Sequence, residues 1–205
     1  MAKLDLRKDL KPLYAAAVKA VTFVHAARID FLAVDGYGHP DNSGQEFQRA
    51  IELLYSASFT LKFQTKKAAP DKDWAVMPLE GLWWHEDPKA DWNWTLMIAQ
   101  PPFVTTAQVK AVLKDLNQKK ATEDYSKVRL ERLAEGKCVQ TLHVGPYSAE
   151  ETTIQRMSEF ARANGYELAG KHHEIYMNDP KRVPPERLKT ILRYPVKKTA
   201  IKAKA

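Results

Sequence analysis

An acidic and a phenolic side chain lie two residues apart in the segment K-H-H-E-I-Y-M-N-D-P. The pattern predicts a short strand and a turn, and alternation along a strand places Glu174 and Tyr176 on one face. A carboxylate beside a phenol is unusual in a core and indicates a pocket wall. An ionised Glu174 would offset the desolvation of a ligand cation, and a buried one with a raised pKa could act as a general acid or base. The alternative is a structural carboxylate paired with a lysine or a backbone donor.

A second segment upstream, M-P-L-E-G-L-W-W-H-E-D-P, has a similar but weaker pattern: a glutamate, aromatic residues and then Asp-Pro. Glu80 is either a pocket residue or a solvated residue at a strand end. Trp83 and Trp84 point to opposite faces of a strand, so one is predicted in the core and one in the pocket. Trp92 and Trp94 share a face of the next strand. Aromatic stripes are often core, but four tryptophans in this short stretch favour a cage that stacks on planar or cationic ligands.

Two tyrosines, Tyr37 and Tyr147, occupy turns just before two predicted helices. Such a tyrosine is either a half-buried lid on the core or a donor to a ligand carbonyl. If the two halves of the chain are equivalent, both phenols should lie near the same cleft.

A metal site is not predicted. His172 and His173 are adjacent, so they point in opposite directions on a strand, and Cys138 and His143 lack a completing ligand pattern. No glycine-rich phosphate loop, nucleophile elbow or dinucleotide fingerprint is present, so no cofactor is expected.

The composition restricts the class of protein. The chain has 205 residues, 44% hydrophobic and 28% charged, which suits one large domain or two small lobes. Four lysines at 197–205 account for much of the net charge of +7, so the remainder carries 7 − 4 = +3 and specific nucleic-acid binding is not expected. No apolar run approaches the roughly 20 residues of a membrane span. The start of the chain lacks a signal peptide and the one cysteine suits a reducing compartment, so we expect a cytoplasmic protein. The sequence leaves both a monomer and a homodimer open.

The order of predicted elements is strand, helix, strand, strand, twice over. Ser-x-x-Glu capping boxes at Ser43 and Ser148 precede the two helices. A hairpin at Ala134-Glu135-Gly136 is expected to join strands 128–133 and 137–144. We therefore predict an α+β fold of tandem modules with pseudo-twofold symmetry, antiparallel sheets and a central ligand cleft. The predicted divisions are a helical extension 1–27, a domain 28–196 with modules 28–100 and 127–196, a connecting helix 105–120, and a disordered basic tail 197–205.

The segments H-E-I-Y-M-N-D-P and V-P-P-E-R-L-K-T-I-L-R-Y-P-V closely resemble the C-terminal signature of the GyrI-like small-molecule-binding family. V-D-G-Y-G-H-P, E-F-Q-R-A-I-E-L-L-Y and M-P-L-E-G-L-W-W resemble a stand-alone bacterial subgroup of it. The resemblance implies tandem strand-helix-strand-strand modules, with an aromatic cleft and a central glutamate that Glu174 matches, beside a tyrosine that Tyr176 matches. The first 27 residues are too few for a helix-turn-helix domain, so a role in transcription is not expected.

The resemblance implies three functions, of which small-molecule binding is our prediction and the other two are alternatives. In the regulators of the family this site binds lipophilic, often cationic, drugs, which predicts cytoplasmic binding of amphipathic aromatic or cationic small molecules. Some stand-alone members hydrolyse cyclopropane-containing DNA-alkylating compounds, with Glu174 or Glu80 as the base here and Tyr147 as a hydrogen-bond donor. The family name implies a third possibility, an interaction with gyrase.

Overall fold

The computed structural model describes residues 3–39, 44–87, 89–120 and 122–199. It confirms the α+β class, with antiparallel strands throughout both compact units of the chain. None of the helices in these ranges has the length and apolar character needed to cross a membrane. The elements are α1 (Leu6–Asp9), α2 (Lys11–Tyr14), β1 (Thr22–Ala26), β2 (Ile29–Tyr37), α3 (Gly44–Ala68), β3 (Leu79–Trp84), β4 (Asn93–Gln100), α4 (Thr106–Lys119), β5 (Arg129–Leu133), β6 (Gly136–Val144), α5 (Glu151–Ala163), β7 (Tyr166–Leu168), β8 (His172–Tyr176) and β9 (Lys189–Lys198).

The first unit comprises residues 1–11 and 28–134. Its strands are ordered β3-β4-β2-β5, and α3 packs on β2 and β4. The inner face of α3 carries Leu54, Ala57 and Leu61, each at most 1% exposed. This spacing of three and four residues makes the apolar stripe that binds a helix to a sheet.

The second unit comprises residues 12–27 and 135–205. Its strands are ordered β8-β9-β6-β1, β7 adds to β9, and α5 packs on β6 and β7. Val139, Met157, Ala161 and Leu192 form its core and are fully buried. The order strand, helix, strand, strand is found as β2-α3-β3-β4 in the first unit and as β6-α5-β8-β9 in the second, which confirms the predicted repeat. The short strand β7, between α5 and β8, was not predicted.

The predicted hairpin between 128–133 and 137–144 is wrong. β5 pairs with β2, and β6 pairs with β1. Glycine at 136, with a φ of 68°, does turn the chain, but the two strands it joins belong to different units. The extension 1–27 is likewise helical only in two short turns, since its last part is the edge strand β1.

The structure contains a cap at the start of the connecting helix, but it lacks the cap predicted at Ser148. Thr105 and Gln108 form a complete capping box at the start of α4, which confirms the connecting helix. Ser148 caps nothing, because it lies in a single 3₁₀ turn and α5 begins at Glu151. The box predicted at Ser43 lies outside the described residues. The predicted disordered tail begins too early, since β9 continues to Lys198.

A glycine sets the packing of the first unit. The ring of Trp94 lies across Gly36, and a Cβ there would come within 2.0 Å of the indole. Phe47 of α3 meets the same ring edge-on at 5.4 Å. Trp94 is therefore clamped between helix and strand, and its side chain is fully buried.

Candidate active site

One face of β8 supplies three polar side chains, His172, Glu174 and Tyr176, because alternate residues of a strand share a face. The imidazole of His172 is 8% exposed and the carboxyl group of Glu174 is 12% exposed. The pattern that predicted Glu174 and Tyr176 also holds for His172. This face is the centre of the site in the second unit.

A second carboxylate closes on His172 from the start of α5. Nε2 of His172 lies 3.0 Å from Oε1 of Glu174 and 3.5 Å from Oε2 of Glu150. Both distances fit ion pairs of Nε2. Within the described residues, Nδ1 of His172 and Oε1 of Glu150 have no hydrogen-bond partner. Buried polar atoms in native proteins normally have such partners, so these two atoms indicate a place for a ligand or a water.

Burial and charge together set the protonation of this cluster. Burial alone would lower the pKa of His172, but the contacts with Glu150 and Glu174 outweigh it and raise that pKa to about 9. Burial raises the pKa of Glu150 to about 7; the charge of Glu174 adds to this and His172 opposes it. At neutral pH the site therefore holds an imidazolium and a carboxyl group that can give or take a proton.

Three phenols surround the cluster. Tyr147 and Tyr176 meet edge to face, with ring centroids 5.9 Å apart. Tyr194 of β9 packs on the ring of His172 at 4.8 Å. Burial, and then the charge of Glu174, raise the pKa of Tyr147 to about 12 and raise the pKa of Tyr194 as well. Both phenols keep their protons at neutral pH and can serve as hydrogen-bond donors.

A buried histidine fixes the turn that carries Tyr147. His143 contacts Oγ1 of Thr153 at 3.0 Å through Nδ1 and the carbonyl oxygen of Pro146 at 3.2 Å through Nε2. Gly145, with a φ of 140°, makes the turn between them. The turn is thus tied to Thr153 in the first turn of α5, and Glu150 is the N-cap residue of that helix.

The same cluster has the spacing of a cation site. The ligand atoms of Glu150, His172 and Glu174 all lie within 4.8 Å of one another, so one metal ion could contact all three. A protonated imidazole between two carboxyl groups also compensates negative charge, without a metal. The absence of a metal stays a prediction.

The first unit holds the other predicted residues. Glu80 is fully buried, so the alternative of a solvated strand end is wrong. Trp83 is 6% exposed and packs on Phe47, which makes it the core member of its pair and leaves Trp84 as the half-buried one. Trp94 is a core residue, as described above. A role for Glu80 or Trp84 in ligand binding stays a prediction.

Two predicted wall residues of this unit lie nearer its surface. Trp92 is half-buried and lies against His85, with ring centroids 3.6 Å apart and planes tilted by 37°. Tyr37 is 53% exposed, and its hydroxyl oxygen accepts a hydrogen bond from the backbone of Asp91. The cleft expected between two modules stays a prediction.

Sequence reasoning missed three residues of the site: Glu150, His172 and Tyr194. A signal existed for His172, which alternates with Glu174 and Tyr176. None existed for Glu150, because the capping box predicted from Ser148 and Glu151 placed it inside the first turn of a helix. Tyr194 lies on β9, and nothing in the sequence shows that β9 pairs with β8.

The imidazolium makes the stability of the fold depend on pH. The folded pKa of His172, about 9, lies above its ordinary value of 6.5, so the stabilisation is complete below pH 6.5 and is lost as pH rises through 9. A shift of 9 − 6.5 = 2.5 units corresponds to a loss of about 3 kcal/mol. The raised pKa of Glu150 acts in the same direction between pH 4.5 and 7. Urea unfolding at pH 6 and pH 9 should show this loss.

Two variants separate this effect from general alkaline destabilisation. His172→Gln cannot hold the proton, so its free energy of unfolding should vary much less between the two pH values. His25→Gln removes an exposed imidazole of the same unit and should keep the wild-type dependence. Equal pH dependence in wild type and His172→Gln would contradict the assignment of an imidazolium.

The chain is similar to one family of known proteins and to several solved structures. The model of the GyrI-like small molecule binding domain matches residues 19–197. The crystal structure of a hydrolase from Listeria innocua is 37% identical, with a TM-score of 0.85 over 95% of this chain and 100% of that one. An uncharacterized conserved protein from Listeria innocua is 39% identical, with a TM-score of 0.87 over the same shares.

A more distant likeness concerns the fold alone. The C-terminal domain of EcmrR is 13% identical, with a TM-score of 0.55 over 88% of this chain and 98% of that one. A comparison with curated proteins finds no match. The family model covers most of the chain, and the chain therefore belongs to the family of the GyrI-like small-molecule-binding domain.

Proposed function

We propose that this protein is a hydrolase that binds a neutral aromatic small molecule and opens an electrophilic, strained ring in it by adding water. The observation that carries the proposal is the buried Glu150–His172–Glu174 cluster, in which an imidazolium lies between two carboxyl groups. Hydrolysis needs a base that accepts a proton from water and a hydrogen-bond donor for the oxygen atom that receives the electron pair of the broken bond. The carboxylates of the cluster can supply the base, and the phenols around it can supply the donor. The 37% identical hydrolase from Listeria innocua supports the reaction class.

The charge of the site favours a neutral substrate. The imidazolium of His172 balances the carboxylate of Glu174, and Glu150 is charged in about half of the molecules near pH 7, given its pKa of about 7. The cluster therefore carries between zero and one negative charge. A receptor for a permanent cation would gain from uncompensated carboxylates, whereas a near-neutral site with mobile protons suits acid–base chemistry.

The family resemblance supplies the substrate class, cyclopropane-containing DNA-alkylating compounds whose ring is conjugated to a carbonyl group. Glu174, the most exposed of the three groups, accepts a proton from water as the water oxygen bonds to a ring carbon. The carbon–carbon bond of the ring breaks, and its electron pair moves to the carbonyl oxygen. Tyr147 donates a hydrogen bond to that oxygen, which finally takes up a proton, so the product contains one added water.

Binding without turnover is the second candidate, favoured by the edge-to-face pair of Tyr147 and Tyr176 next to Glu174. Phenol faces beside a carboxylate attract lipophilic cations. This candidate predicts protection against thermal unfolding by such cations, with the compound recovered intact.

Incubation of the purified protein with a cyclopropane-containing alkylating compound in ¹⁸O-labelled water tests the proposal. We expect a product with one added, labelled water, formed faster than in buffer and equally well in the presence of EDTA. A compound that decays at its buffer rate under saturating protein would rule out the hydrolase. Loss of turnover on chelation would assign a metal ion, not a proton, to the cluster.

A further inference from the structure

The outer face of α3 carries a ladder of aromatic rings. Tyr55, Phe59 and Phe63 follow each other at intervals of four residues, and their rings stack with centroids 6.3 and 6.2 Å apart. Phe59 is 43% exposed and Phe63 is 59% exposed. The opposite face of the helix is already buried against the sheet of its unit. A surface helix normally turns polar residues outward, so a second apolar face indicates a partner.

Charges at the two ends of this ladder indicate which partner fits. Glu52 lies seven residues before Phe59, and Lys66 lies seven residues after it, two helical turns in each direction. Glu52 is exposed, and the Lys66 side chain is 49% exposed. Lys66 pairs with Asp73 at 2.9 Å, and Lys62 pairs with the same carboxylate. Two lysines thus share one carboxylate, so the Lys66 end of the ladder keeps a net positive charge, whereas the other end carries Glu52.

This arrangement is complementary to itself. Two α3 helices packed antiparallel about a two-fold axis at Phe59 would place Glu52 of each copy opposite Lys66 of the other. The same register places Tyr55 opposite Phe63. A two-fold contact requires one surface patch that complements its own copy, and this patch meets that requirement.

We propose that the outer face of α3, from Glu52 to Lys66, is a homodimer interface in which two copies of this chain pack antiparallel about Phe59. The aromatic ladder supplies the buried apolar contact, since aromatic residues dominate the energetics of interfaces. The end charges fix the antiparallel register, because the parallel one would set like charges together. The proposal uses no residue of the candidate active site and stands apart from the proposed hydrolysis.

Sedimentation velocity of the full chain over a range of concentrations tests the dimer. We expect a concentration-dependent dimer whose dissociation constant rises at least roughly tenfold in Phe63→Ser, the loss typical of a central interface aromatic. Val18→Ser, which removes an apolar side chain 43% exposed elsewhere, should leave it unchanged. Matching thermal midpoints would show that both variants are folded.

A charge exchange tests the register. Glu52→Lys and Lys66→Glu each place like charges opposite one another, so either variant alone should dimerise more weakly than wild type. A mixture of the two restores both opposite-charge contacts and should dimerise like wild type. A chain that stays monomeric at every concentration, a dimer untouched by Phe63→Ser, or a mixture no stronger than its components would overturn the proposal.

Discussion

Glu174→Gln is expected to lower kcat/KM for hydrolysis by about 100-fold to 10,000-fold, the usual contribution of a general base. Glutamine keeps the size of the side chain but cannot accept the proton of the attacking water. The change also removes one of the two carboxylates that hold the proton on His172. Formation of the water adduct, followed by mass spectrometry under single-turnover and steady-state conditions, measures the loss.

Two further glutamine variants sharpen this result. Glu150→Gln resembles the protonated form that already makes up about half of the population near pH 7, so it should retain more activity than Glu174→Gln. Glu159→Gln changes an exposed carboxylate on α5 and should behave like wild type. If Glu174→Gln stays within about threefold of wild type, Glu174 is not the base and the role passes to another group.

The strand at the centre of the site, β8, could be predicted from the sequence because its pattern involves only neighbouring residues. A period of two fixes which side chains share a face, so Glu174 and Tyr176 were placed together correctly. His172 lies on the same face by the same rule, but the adjacent pair of histidines also suits the question of a metal site, which the sequence answers separately. What the sequence lacked was the second carboxylate, which only the path of the chain brings to this face.

Glu150 shows how one local pattern can suit two structures. Ser148 and Glu151 have the spacing of a capping box, yet the chain makes a 3₁₀ turn there and α5 starts three residues later than Ser148. His143 and Gly145 fix this turn through contacts that are not visible as a motif. Because these contacts hold the turn, α5 begins only at Glu151, and the side chain of Glu150 lies against His172.

The pairing of β1 with β6 and of β5 with β2 could not be predicted from local sequence patterns, for a different reason. β1 and β5 each follow the hydrophobic pattern of an edge strand, and nothing in either pattern names its neighbour. The pairing of β1 with β6 joins residues more than 100 positions apart. Short hairpins are favoured by loop-closure entropy, so a turn signal at Gly136 predicts the nearer partner even where tertiary contacts select the distant one.

Arg193→Met is expected to lower the free energy of unfolding by about 3–5 kcal/mol, the cost of breaking a buried ion pair from one side. The Arg193 side chain is 2% exposed and donates hydrogen bonds to Gln140 at 2.9 Å and to the carbonyl oxygen of Leu13 at 2.7 Å. Its third contact is Glu135, at 3.4 Å. Burial raises the pKa of Glu135, but His173 and Arg193 outweigh it and lower that pKa to about 2.

This cluster ties the segment around Leu13 to the sheet of the second unit, so its loss should loosen that segment too. The folded pKa of Glu135 lies below its ordinary value of 4.5, so its stabilisation is present above pH 4.5 and is lost as pH falls through about 2. Arg193→Met should weaken this dependence on pH.

Urea unfolding at neutral pH measures the difference, with Arg182→Met as the matched control because the Arg182 side chain is 84% exposed. The double variant Arg193→Met with Glu135→Gln should recover part of the loss, since no ionised carboxylate is then left in the interior next to a missing partner. If Arg193→Met and Arg182→Met unfold at the same urea concentration, the buried network contributes nothing to stability. If the double variant is weaker than Arg193→Met, the loss of the contact between Glu135 and His173 costs more than the stranded charge of Glu135.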